Sequence, residues 1–576
     1  MATEEGSGEN TDIFAARPWV KSYPAGVPKN VDDDAIPTLA DLIRDIFERH
    51  AGKPAMESFG VRMTYRDVAR TADAVSGWLL QQGVGKGDRV ALMMPNVMAY
   101  VPTLFGTLLA GAVAVGVNPL YTARELVHVL RDSGATVLFV LENFGATVEA
   151  ALADIESSGG TKPKVVVVSA GDLLGLKGRL IDFVARHVKK IVPASSLPGA
   201  IRFAAVLAEG AGAPGARPEI APSDMAFLQY TGGTTGVAKG AMLTHRNVAA
   251  NILQSEIWLK TSLQDKPNPV TVSALPLYHI FALLASALVM SRFGACQILI
   301  ANPRDIKGLV KTLKKRRFNV ILVINTLARA LLNNPDFRRL DFSGLRLSVA
   351  GGMAVQSRVA DEWKAATGRP LIEGYGLSET SPVVCLNRAD IADFTGAIGY
   401  PLPSTEISIR DEAGNVVRAG QKGELCVRGP QVMAGYWRRP DETAKVMTHD
   451  GFFRTGDVAT MDAHGLVTLV DRLKDMILVS GFNVYPNEVE DVIAAHPAVA
   501  EVAVVGRRDE KSGEAVVAYV VSKPDTEVDE AALREHCRKS LTAYKVPREV
   551  HFIEAIPKSN VGKILRKDLR LLADGG

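Results

Sequence analysis

One stretch of the sequence combines the residue types that hold phosphate groups. Residues 230–241 read YTGGTTGVAKGA and follow the strand-like run 226–229. Glycines expose backbone N–H groups, threonine hydroxyls can donate hydrogen bonds, and the ammonium of Lys239 adds a positive charge. The Walker A spacing GxxxxGK[ST] is absent, because Gly236 precedes Lys239 by three residues. The composition therefore favours a phosphate-binding loop of another kind over a flexible surface loop.

Four shorter motifs further along the chain carry side chains that could act on a nucleotide. Residues 374–380 read GYGLSET, 455–457 read TGD, 471–475 read DRLKD and 557–566 read PKSNVGKILR. Each motif alone has an ordinary explanation, because an Asp beside Gly is most often a turn former and a Lys near a chain end is most often solvated. Their joint occurrence in one chain makes them informative.

Taken in this order and spacing, the five motifs resemble the adenylate-forming superfamily of acyl-CoA synthetases, luciferases and peptide-synthetase adenylation domains. The similarity covers essentially the whole chain. The runs 275–283 (LPLYHIFAL), 479–488 (VSGFNVYPNE) and 557–566 are similar to the bacterial long-chain fatty-acid CoA ligases. The resemblance implies an enzyme, an AMP-forming acid–thiol ligase. It would activate long-chain fatty acids with ATP through an acyl-adenylate, release pyrophosphate and AMP, and use CoA as co-substrate.

The resemblance assigns chemical roles to residues of these motifs. The family's invariant Lys falls on Lys563, whose charge would offset the charge of a carboxylate attacking the α-phosphate. Glu379 falls on the family's Mg²⁺ ligand, and Mg²⁺ needs only one or two carboxylates beside phosphate oxygens. Thr231 and Lys239 complete the predicted catalytic set. The predicted ATP and AMP contacts are Tyr230, Thr231, Gly232, Gly233, Thr234, Thr235, Gly236, Lys239, Gly351, Gly352, Met353, Gly374, Tyr375, Gly376, Thr380, Asp457 and Arg472.

Within that set, the resemblance implies specific contacts. Tyr375 would stack on the adenine, and Asp457 would hold the ribose hydroxyls with Arg472 as its companion. Gly351, Gly352 and Met353 would line the adenine and acyl pocket.

The acyl and CoA contacts are also implied by the resemblance. Tyr278, His279, Phe281 and Leu283 would face the acyl channel. His279 has a second interpretation as a buried, hydrogen-bonded residue, and a general-base role is disfavoured because a fatty acid is already ionised at pH 7. Some long-chain relatives place a gating Trp where this chain has Leu283, so the gate is left open. Gly481 and Phe482 would line the CoA path, and Lys474 falls on the hinge.

Two kinds of alternative remain at this point. Within the superfamily, the acid could be medium-chain or aryl, or the acyl-adenylate could pass to an acceptor other than CoA. Outside it, the protein could be an inactive nucleotide-binding or membrane scaffold. The joint presence of Lys239, Glu379, Asp457, Arg472 and Lys563 argues against such a scaffold.

The elements that must position these residues are those of a large α/β protein. The chain has 576 residues, of which 47% are hydrophobic and 22% charged. Strand-like runs alternate with helical patterns at 89–94, 101–111, 137–141, 146–155 and 164–169, which is typical of parallel sheets with crossover helices. Short strands and turns from about 406 predict a small β subdomain. A further change after 471 predicts an α+β domain.

The predicted fold is therefore α/β: a large N-terminal body of two parallel-sheet subdomains and a small β subdomain, followed by a smaller mobile α+β domain. We place the AMP-binding body at 1–470, the hinge at 471–475 and the mobile domain at 476–576. The uncharged stretches 91–123 and 267–291 contain prolines and polar residues, so we assign them to the core instead of a membrane.

Charge and cysteine content limit the partners. The 66 Lys and Arg nearly balance the 63 Asp and Glu, so no nucleic-acid partner is expected. Four dispersed cysteines and an acidic, polar N-terminus predict a reducing, cytoplasmic setting without a secretory signal. A homodimer is left open. The segment 534–570 has ten Lys or Arg and four Asp or Glu, which suits either a solvated face or a basic lip near the CoA nucleotide.

One more segment has an unusual pattern. Residues 176–191 place apolar side chains at helical spacing among five Lys or Arg and one Asp. The ordinary interpretation is a helix packed on the body with solvated charges. The alternative is a basic amphipathic helix on the inner face of the cell membrane, which would make the protein peripheral there.

Overall fold

The computed structural model describes residues 14–212, 217–231, 238–524, 526–559 and 562–574. These residues form two large sheets, a small antiparallel sheet and a C-terminal α+β domain. The predicted mixed α/β fold with two parallel-sheet subdomains is confirmed.

The first large sheet has nine strands and a parallel centre. Its strands are short and almost wholly buried, as expected when helices cover both faces. In spatial order the strands are Tyr400–Pro401, Val383–Leu386, Leu371–Gly376, Leu347–Ala350, Val320–Val323, Val270–Ser273, Cys296–Leu299, Pro54–Ser58 and Val61–Thr64.

The second large sheet has eight strands and is also parallel through most of its width. An antiparallel hairpin at one side carries the chain on either side of the predicted phosphate loop. In spatial order the strands are Gly435–Tyr436, Lys239–Thr244, Met225–Thr231, Val113–Gly116, Arg89–Met93, Val137–Leu141, Lys164–Val168 and Ile201–Arg202.

Two smaller sheets follow along the chain. The antiparallel one consists of Glu406–Arg410, Gly423–Arg428, Phe453–Met461 and Val467–Arg472. The C-terminal one consists of Phe482–Val484, Ile477–Val479, Gly513–Ser522, Val499–Asp509 and Glu549–Phe552. Between the two sheets the chain makes only the short 3₁₀ turn Leu473–Asp475, which the predicted hinge 471–475 overlaps.

Helices cover the large sheets, and several begin at side-chain caps. Thr244, for example, accepts from the Asn247 N–H and starts the long helix His245–Leu263. The α-helices are Leu39–His50, Tyr65–Gln81, Tyr100–Leu109, Ala123–Ser133, Gly145–Ser157, Gly175–Phe183, Phe203–Gly210, His245–Leu263, Ile280–Ala282, Met290–Arg292, Ile306–Leu313, Asn325–Leu332, Pro335–Arg338, Ser357–Thr367, Pro440–Val446, Pro486–Ala494, Glu530–Arg538 and Arg566–Ala573. Val184–Val188 and Leu283–Val289 are π-helical.

The two uncharged stretches form core elements. The first contains most of strand Arg89–Met93, helix Tyr100–Leu109 and strand Val113–Gly116, all within the buried core. None of the helices that the structure describes has the length and apolar character needed to cross a bilayer.

Candidate active site

A cleft of about 2340 Å³ lies where the two large sheets, the small antiparallel sheet and the C-terminal domain meet. Strand Leu371–Gly376 of the first sheet and strand Met225–Thr231 of the second contribute to its lining with their carboxyl ends. In parallel α/β sheets this end of the strands is where ligands bind. Most of the sequence-predicted site residues described by the structure line this cleft.

Asp457 is a deeply buried carboxylate of the cleft, with 1% of its surface exposed. Strand pairing sets Asp457 opposite Arg472, and the Arg472 Nε lies 3.0 Å from its Oδ1. The hydroxyl of Tyr375 donates to Asp457 Oδ2 at 2.6 Å. Burial raises the pKa of Asp457, while Arg472 and the Tyr375 hydrogen bond act in the opposite direction. The three residues predicted for adenine and ribose thus form one hydrogen-bonded and ion-paired unit.

Glu379 lies in a 3₁₀ turn directly after strand Leu371–Gly376 and is 8% exposed at the cleft wall. The Tyr436 hydroxyl donates to its Oε1 at 2.8 Å. Thr380, predicted as a nucleotide contact, is fully buried and does not line the cleft. Its hydroxyl bonds main-chain groups of Leu377 and Pro382, so it holds the turn that presents Glu379.

The predicted phosphate loop joins two paired strands. Thr231 and Lys239 face each other directly across the pair and both line the cleft. Gly232, Gly233, Thr234, Thr235 and Gly236 lie outside the described residues. Tyr230 directs its hydroxyl away from this pair and donates to Asp132 Oδ2 at 2.7 Å, so its hydroxyl is used inside the fold.

Lys239 has partners on the segment 435–446. Its ammonium pairs with Glu442 and lies 5.3 Å from the centre of the Tyr436 ring. Glu442 also pairs with Lys445 at 2.6 Å, and both lysines line the cleft. The segment therefore brings additional charges to the part of the cleft that Lys239 lines.

Lys563 reaches the cleft from the C-terminal domain. Its loop is closed by Ser559, whose hydroxyl accepts from the Lys563 N–H at 3.1 Å. Gly562 has φ +82°, and a Cβ there would lie 2.7 Å from Ile324 and 2.9 Å from Thr326. Only glycine permits this approach of the loop to the N-terminal body without strain.

Three cations, Lys563, Arg472 and Lys474, lie near two carboxylates in this part of the cleft. Loss of surrounding water and the charge of Arg472 lower the pKa of Lys563, while Asp457 and Glu379 oppose that shift. Burial, together with Arg472, lowers the pKa of Lys474 to about 8. A polyanionic ligand in this space would relieve the repulsion among the cations.

Arg566 fastens the Lys563 loop to the turn Leu473–Asp475. Its guanidinium donates to Glu490 at 2.7 Å and lies 3.9 Å from Asp475 of that turn. The position of Lys563 is thereby coupled to the predicted hinge.

Tyr278, His279 and Phe281, which follow strand Val270–Ser273 of the first sheet, line the cleft. The His279 Nδ1 accepts from the Phe281 N–H at 3.3 Å and caps the short helix that follows. Burial, reinforced by Lys563, lowers the pKa of His279 to about 3, so the ring is neutral at pH 7. The Tyr278 carbonyl accepts from Gln229 at 3.2 Å.

Leu283, which was predicted to face the acyl channel, does not line the cleft. Leu283 is 3% exposed and packs in the core, whereas Leu284 and Ala285 line the cleft. All three residues lie at the start of the π-helical turn Leu283–Val289. Gly351 also stays behind the wall, where its lack of a side chain makes room for Phe281. Gly352 and Met353, which were predicted to line the adenine and acyl pocket, line the cleft.

An apolar arm of the cleft runs inward along the first sheet. Residues of strands Val320–Val323 and Leu347–Ala350 and of the helix His245–Leu263 contribute to its lining. Its side chains are Leu259, Leu284, Ala285, Val289, Met290, Val320, Leu322, Leu347 and Val349.

Gly481 and Phe482 lie away from the cleft. Ser480 and Gly481, both with positive φ, form the two-residue turn of a hairpin in which Val479 pairs with Phe482. Phe482 is exposed and stacks on Tyr544 with ring centres 4.8 Å apart.

Sequence analysis missed Glu373. This carboxyl lines the cleft, is 8% exposed, and its Oε2 has no hydrogen-bond partner among the residues that the structure describes. Burial, together with Asp491 of the C-terminal domain, raises the pKa of Glu373 to about 8. It lies immediately before the GYGLSET motif, so the motif's strand could have pointed to it.

Comparison with known proteins agrees with this geometry. A family model described as AMP-binding enzyme matches residues 43–437, and one described as AMP-binding enzyme C-terminal domain matches residues 488–563. The chain belongs to the AMP-binding enzyme family. A relative named long-chain-fatty-acid–CoA ligase from Yersinia pestis is 50% identical over 555 residues, which cover 96% of this chain and 97% of that protein.

Solved structures of AMP-binding enzymes have the same fold. ATP-bound MatB from Rhodopseudomonas palustris superposes with a TM-score of 0.80 at 28% identity, covering 93% of this chain and 99% of that chain. Apo MatB from the same organism superposes with a TM-score of 0.71, also at 28% identity and covering 93% of this chain and 99% of that chain. This AMP-binding enzyme is therefore more similar overall to the ATP-bound structure.

Proposed function

We propose that this protein activates long-chain fatty acids with ATP and transfers the acyl group to CoA. The observation that carries the proposal is the continuity of the cleft. Its apolar arm opens into the space that holds Glu379, Asp457 and Lys563. One cavity thus has room for an alkyl chain and, at its mouth, the charges that suit a nucleotide. The name of the relative from Yersinia pestis supports the same reaction.

In the first half-reaction, a fatty-acid carboxylate oxygen bonds to the α-phosphorus of ATP. The bond from that phosphorus to the bridging oxygen breaks, and pyrophosphate leaves with the bonding electrons. Lys563 offsets the charge of the approaching anions, and Asp457 with Arg472 holds the ribose. No proton has to be removed, because the acid is already ionised at pH 7. The neutral His279 accordingly lines the pocket and does not serve as a base.

Mg²⁺ fits the site in company with nucleotide phosphates. Among the described residues there is no group of three or more His, Cys, Asp or Glu side chains that could hold a metal by themselves. Mg²⁺ does not need such a cage, since it binds through one or two carboxylates plus phosphate oxygens. Glu379 would hold it, and its charge would offset the phosphate charges.

In the second half-reaction, the CoA thiolate bonds to the acyl carbon and AMP leaves with the bonding electrons. We propose that the C-terminal domain first rotates about residues 471–475, with Lys474 at the hinge. The rotation would withdraw Lys563 and bring the hairpin of Gly481 and Phe482 to the cleft as the CoA path. In the structure Lys563 lines the cleft and that hairpin lies outside it, which supports this order of steps.

A panel of carboxylic acids tests the proposal. Acids from acetate to very long chains, together with an aryl acid, are incubated with MgATP and CoA, and thioester formation is measured. The proposal predicts the highest kcat/KM for long chains. A maximum at acetate or at the aryl acid would contradict it. Fatty-acid-dependent pyrophosphate release without thioester would instead indicate another acceptor, and no release at all would indicate an inactive scaffold.

We further propose that the segment 176–191 attaches the protein to an anionic membrane surface. Gly178 and Ala185 face the body, and a Cβ at Gly178 would overlap the Gly171 carbonyl. The apolar side chains therefore point into solvent. They are Leu176, Leu180, Phe183, Val188 and Ile191, between 54% and 81% exposed.

The charges around this apolar face support an anionic lipid surface as its partner. Arg179, Lys189 and Lys190 are exposed beside it. A helix that lies on anionic lipid inserts its apolar side chains into the membrane, and the Lys and Arg side chains beside them contact the headgroups. The cytoplasmic face of the cell membrane offers such a surface, and fatty acids partition into it.

A further inference from the structure

Tyr436 touches two functional residues that come from different sheets. Its short strand, Gly435–Tyr436, pairs with strand Lys239–Thr244, with Tyr436 opposite Ala241. The side chain is 8% exposed and lines the cleft. Its hydroxyl donates to Glu379 Oε1 at 2.8 Å, and its ring lies below the Lys239 ammonium, 5.3 Å from the ring centre.

The hydroxyl is suited to a permanent donor role. A phenol carries its proton at neutral pH, so the hydroxyl can donate to Glu379. A buried hydrogen bond to a carboxylate fixes the direction of the remaining carboxylate lone pairs. The ring is suited to its own role, because the face of an aromatic ring attracts an ammonium ion.

The segment that carries Tyr436 is itself anchored. The Tyr436 N–H donates to the Thr443 hydroxyl at 2.9 Å, and the Trp437 N–H donates to the Gly240 carbonyl at 2.8 Å. The Met433 N–H donates to the main-chain carbonyl of Glu379 at 2.8 Å. The tyrosine therefore has little freedom to move relative to either residue that it touches.

We propose that Tyr436 is a positioning residue that sets the metal-binding carboxylate of Glu379 and the phosphate-binding ammonium of Lys239 in fixed relation to each other. This inference rests on the proposed function. The hydroxyl orients Glu379 toward Mg²⁺, and the ring places Lys239. Glu442 completes the arrangement by pairing with Lys239 from the same segment.

Two variants separate the two contacts. Tyr436→Phe keeps the ring and removes the hydroxyl, so the Mg²⁺ concentration for half-maximal pyrophosphate release should rise about tenfold, the value of a hydrogen bond to a charged group. The KM for fatty acid should stay unchanged. Tyr436→Leu removes both contacts and should in addition raise the KM for ATP at saturating Mg²⁺.

Calorimetric titration of MgATP and of metal-free ATP into the protein gives a readout independent of turnover. Tyr436→Phe should reduce the advantage of MgATP over metal-free ATP, whereas an effect on general stability would weaken both alike. Tyr23→Phe is the matched control. It removes a hydroxyl that donates to the Pro401 carbonyl at 2.7 Å outside the cleft, and it should leave both titrations unchanged.

An unchanged Mg²⁺ requirement in Tyr436→Phe would overturn the inference, and so would an equal loss of MgATP and metal-free ATP binding. These results differ from a failure of the proposed function, in which the unmodified protein itself would show no fatty-acid-dependent pyrophosphate release. The two variants are interpreted separately, so misfolding of Tyr436→Leu leaves the Tyr436→Phe result decisive.

Discussion

At the scale of single residues, the cleft contains a carboxyl that the proposed chemistry does not use. Glu373 faces Asp491 of the C-terminal domain, and burial raises its pKa to about 8 from an ordinary value of 4.5. Between pH 4.5 and about pH 8, the Glu373 carboxyl therefore keeps its proton in the folded protein and loses it in the unfolded chain. The free energy of unfolding must therefore fall as the pH rises through this window.

Replacing Glu373 tests this dependence. Glu373→Gln should remove a slope of up to about 1.4 kcal/mol per pH unit, so that the variant gains stability over the unmodified protein as the pH rises from 5 to 8. Urea unfolding at a series of pH values measures the difference. Glu510→Gln, on the exposed surface, serves as control and should leave the slope intact. Parallel curves for Glu373→Gln and the unmodified protein would contradict the expectation.

At the scale of elements, the helix Gly175–Phe183 and the following π-helical turn Val184–Val188 expose large apolar side chains to solvent. Two contacts hold this orientation. Asp182 accepts from the Gly171 N–H at 2.8 Å, and Arg186 pairs with Glu142 at 2.8 Å. An ordinary packed helix would bury the residues that are exposed here.

The proposed membrane contact makes a prediction at this scale. The double variants Leu180→Ser/Phe183→Ser and Lys189→Glu/Lys190→Glu should each lower binding to anionic vesicles about tenfold or more, because both apolar insertion and about 1 kcal/mol per cation contribute. Cosedimentation measures binding. Leu571→Ser/Leu572→Ser, which changes two exposed leucines of the C-terminal helix, should bind normally. Equal sedimentation of all proteins would exclude this segment as the attachment site.

Sequence reasoning was most successful where a pattern extends over a whole element. The runs 137–141 and 164–169 became strands Val137–Leu141 and Lys164–Val168, because alternating βα units specify buried parallel strands. It failed where one side chain's direction depends on local geometry. The family resemblance assigned Leu283 to the acyl channel, whereas the neighbouring Leu284 and Ala285 line the cleft. The contact of Tyr436 with Glu379 joins residues 57 positions apart, and no local pattern encodes it.

At the scale of the whole molecule, we propose that the position of the C-terminal domain determines which half-reaction the protein can carry out. Its Lys563 loop is docked against Ile324 and Thr326, and the overall shape is closer to ATP-bound MatB than to apo MatB. We propose that this orientation serves adenylate formation. A rotation at 471–475 would then be needed before thioester formation.

Lys563→Ala should separate the two half-reactions. Adenylate formation should fall by at least about a hundredfold, since an electrostatic contact made in the transition state is lost. Conversion of supplied acyl-adenylate and CoA to thioester should remain close to normal. Pyrophosphate release and thioester formation measure the two rates separately. Lys539→Ala, on the exposed surface, is the control, and an equal fall of both rates in Lys563→Ala would contradict the rotation.

The docked Lys563 loop also has a consequence for the cell's supply of CoA. On the proposed cycle, the hairpin of Gly481 and Phe482 stays outside the cleft until the adenylate has formed and pyrophosphate has left. An enzyme without fatty acid then presents no completed path for the pantetheine arm. Idle copies of the protein would leave the free CoA pool to other reactions, and CoA would be drawn on only in proportion to the fatty acid already activated.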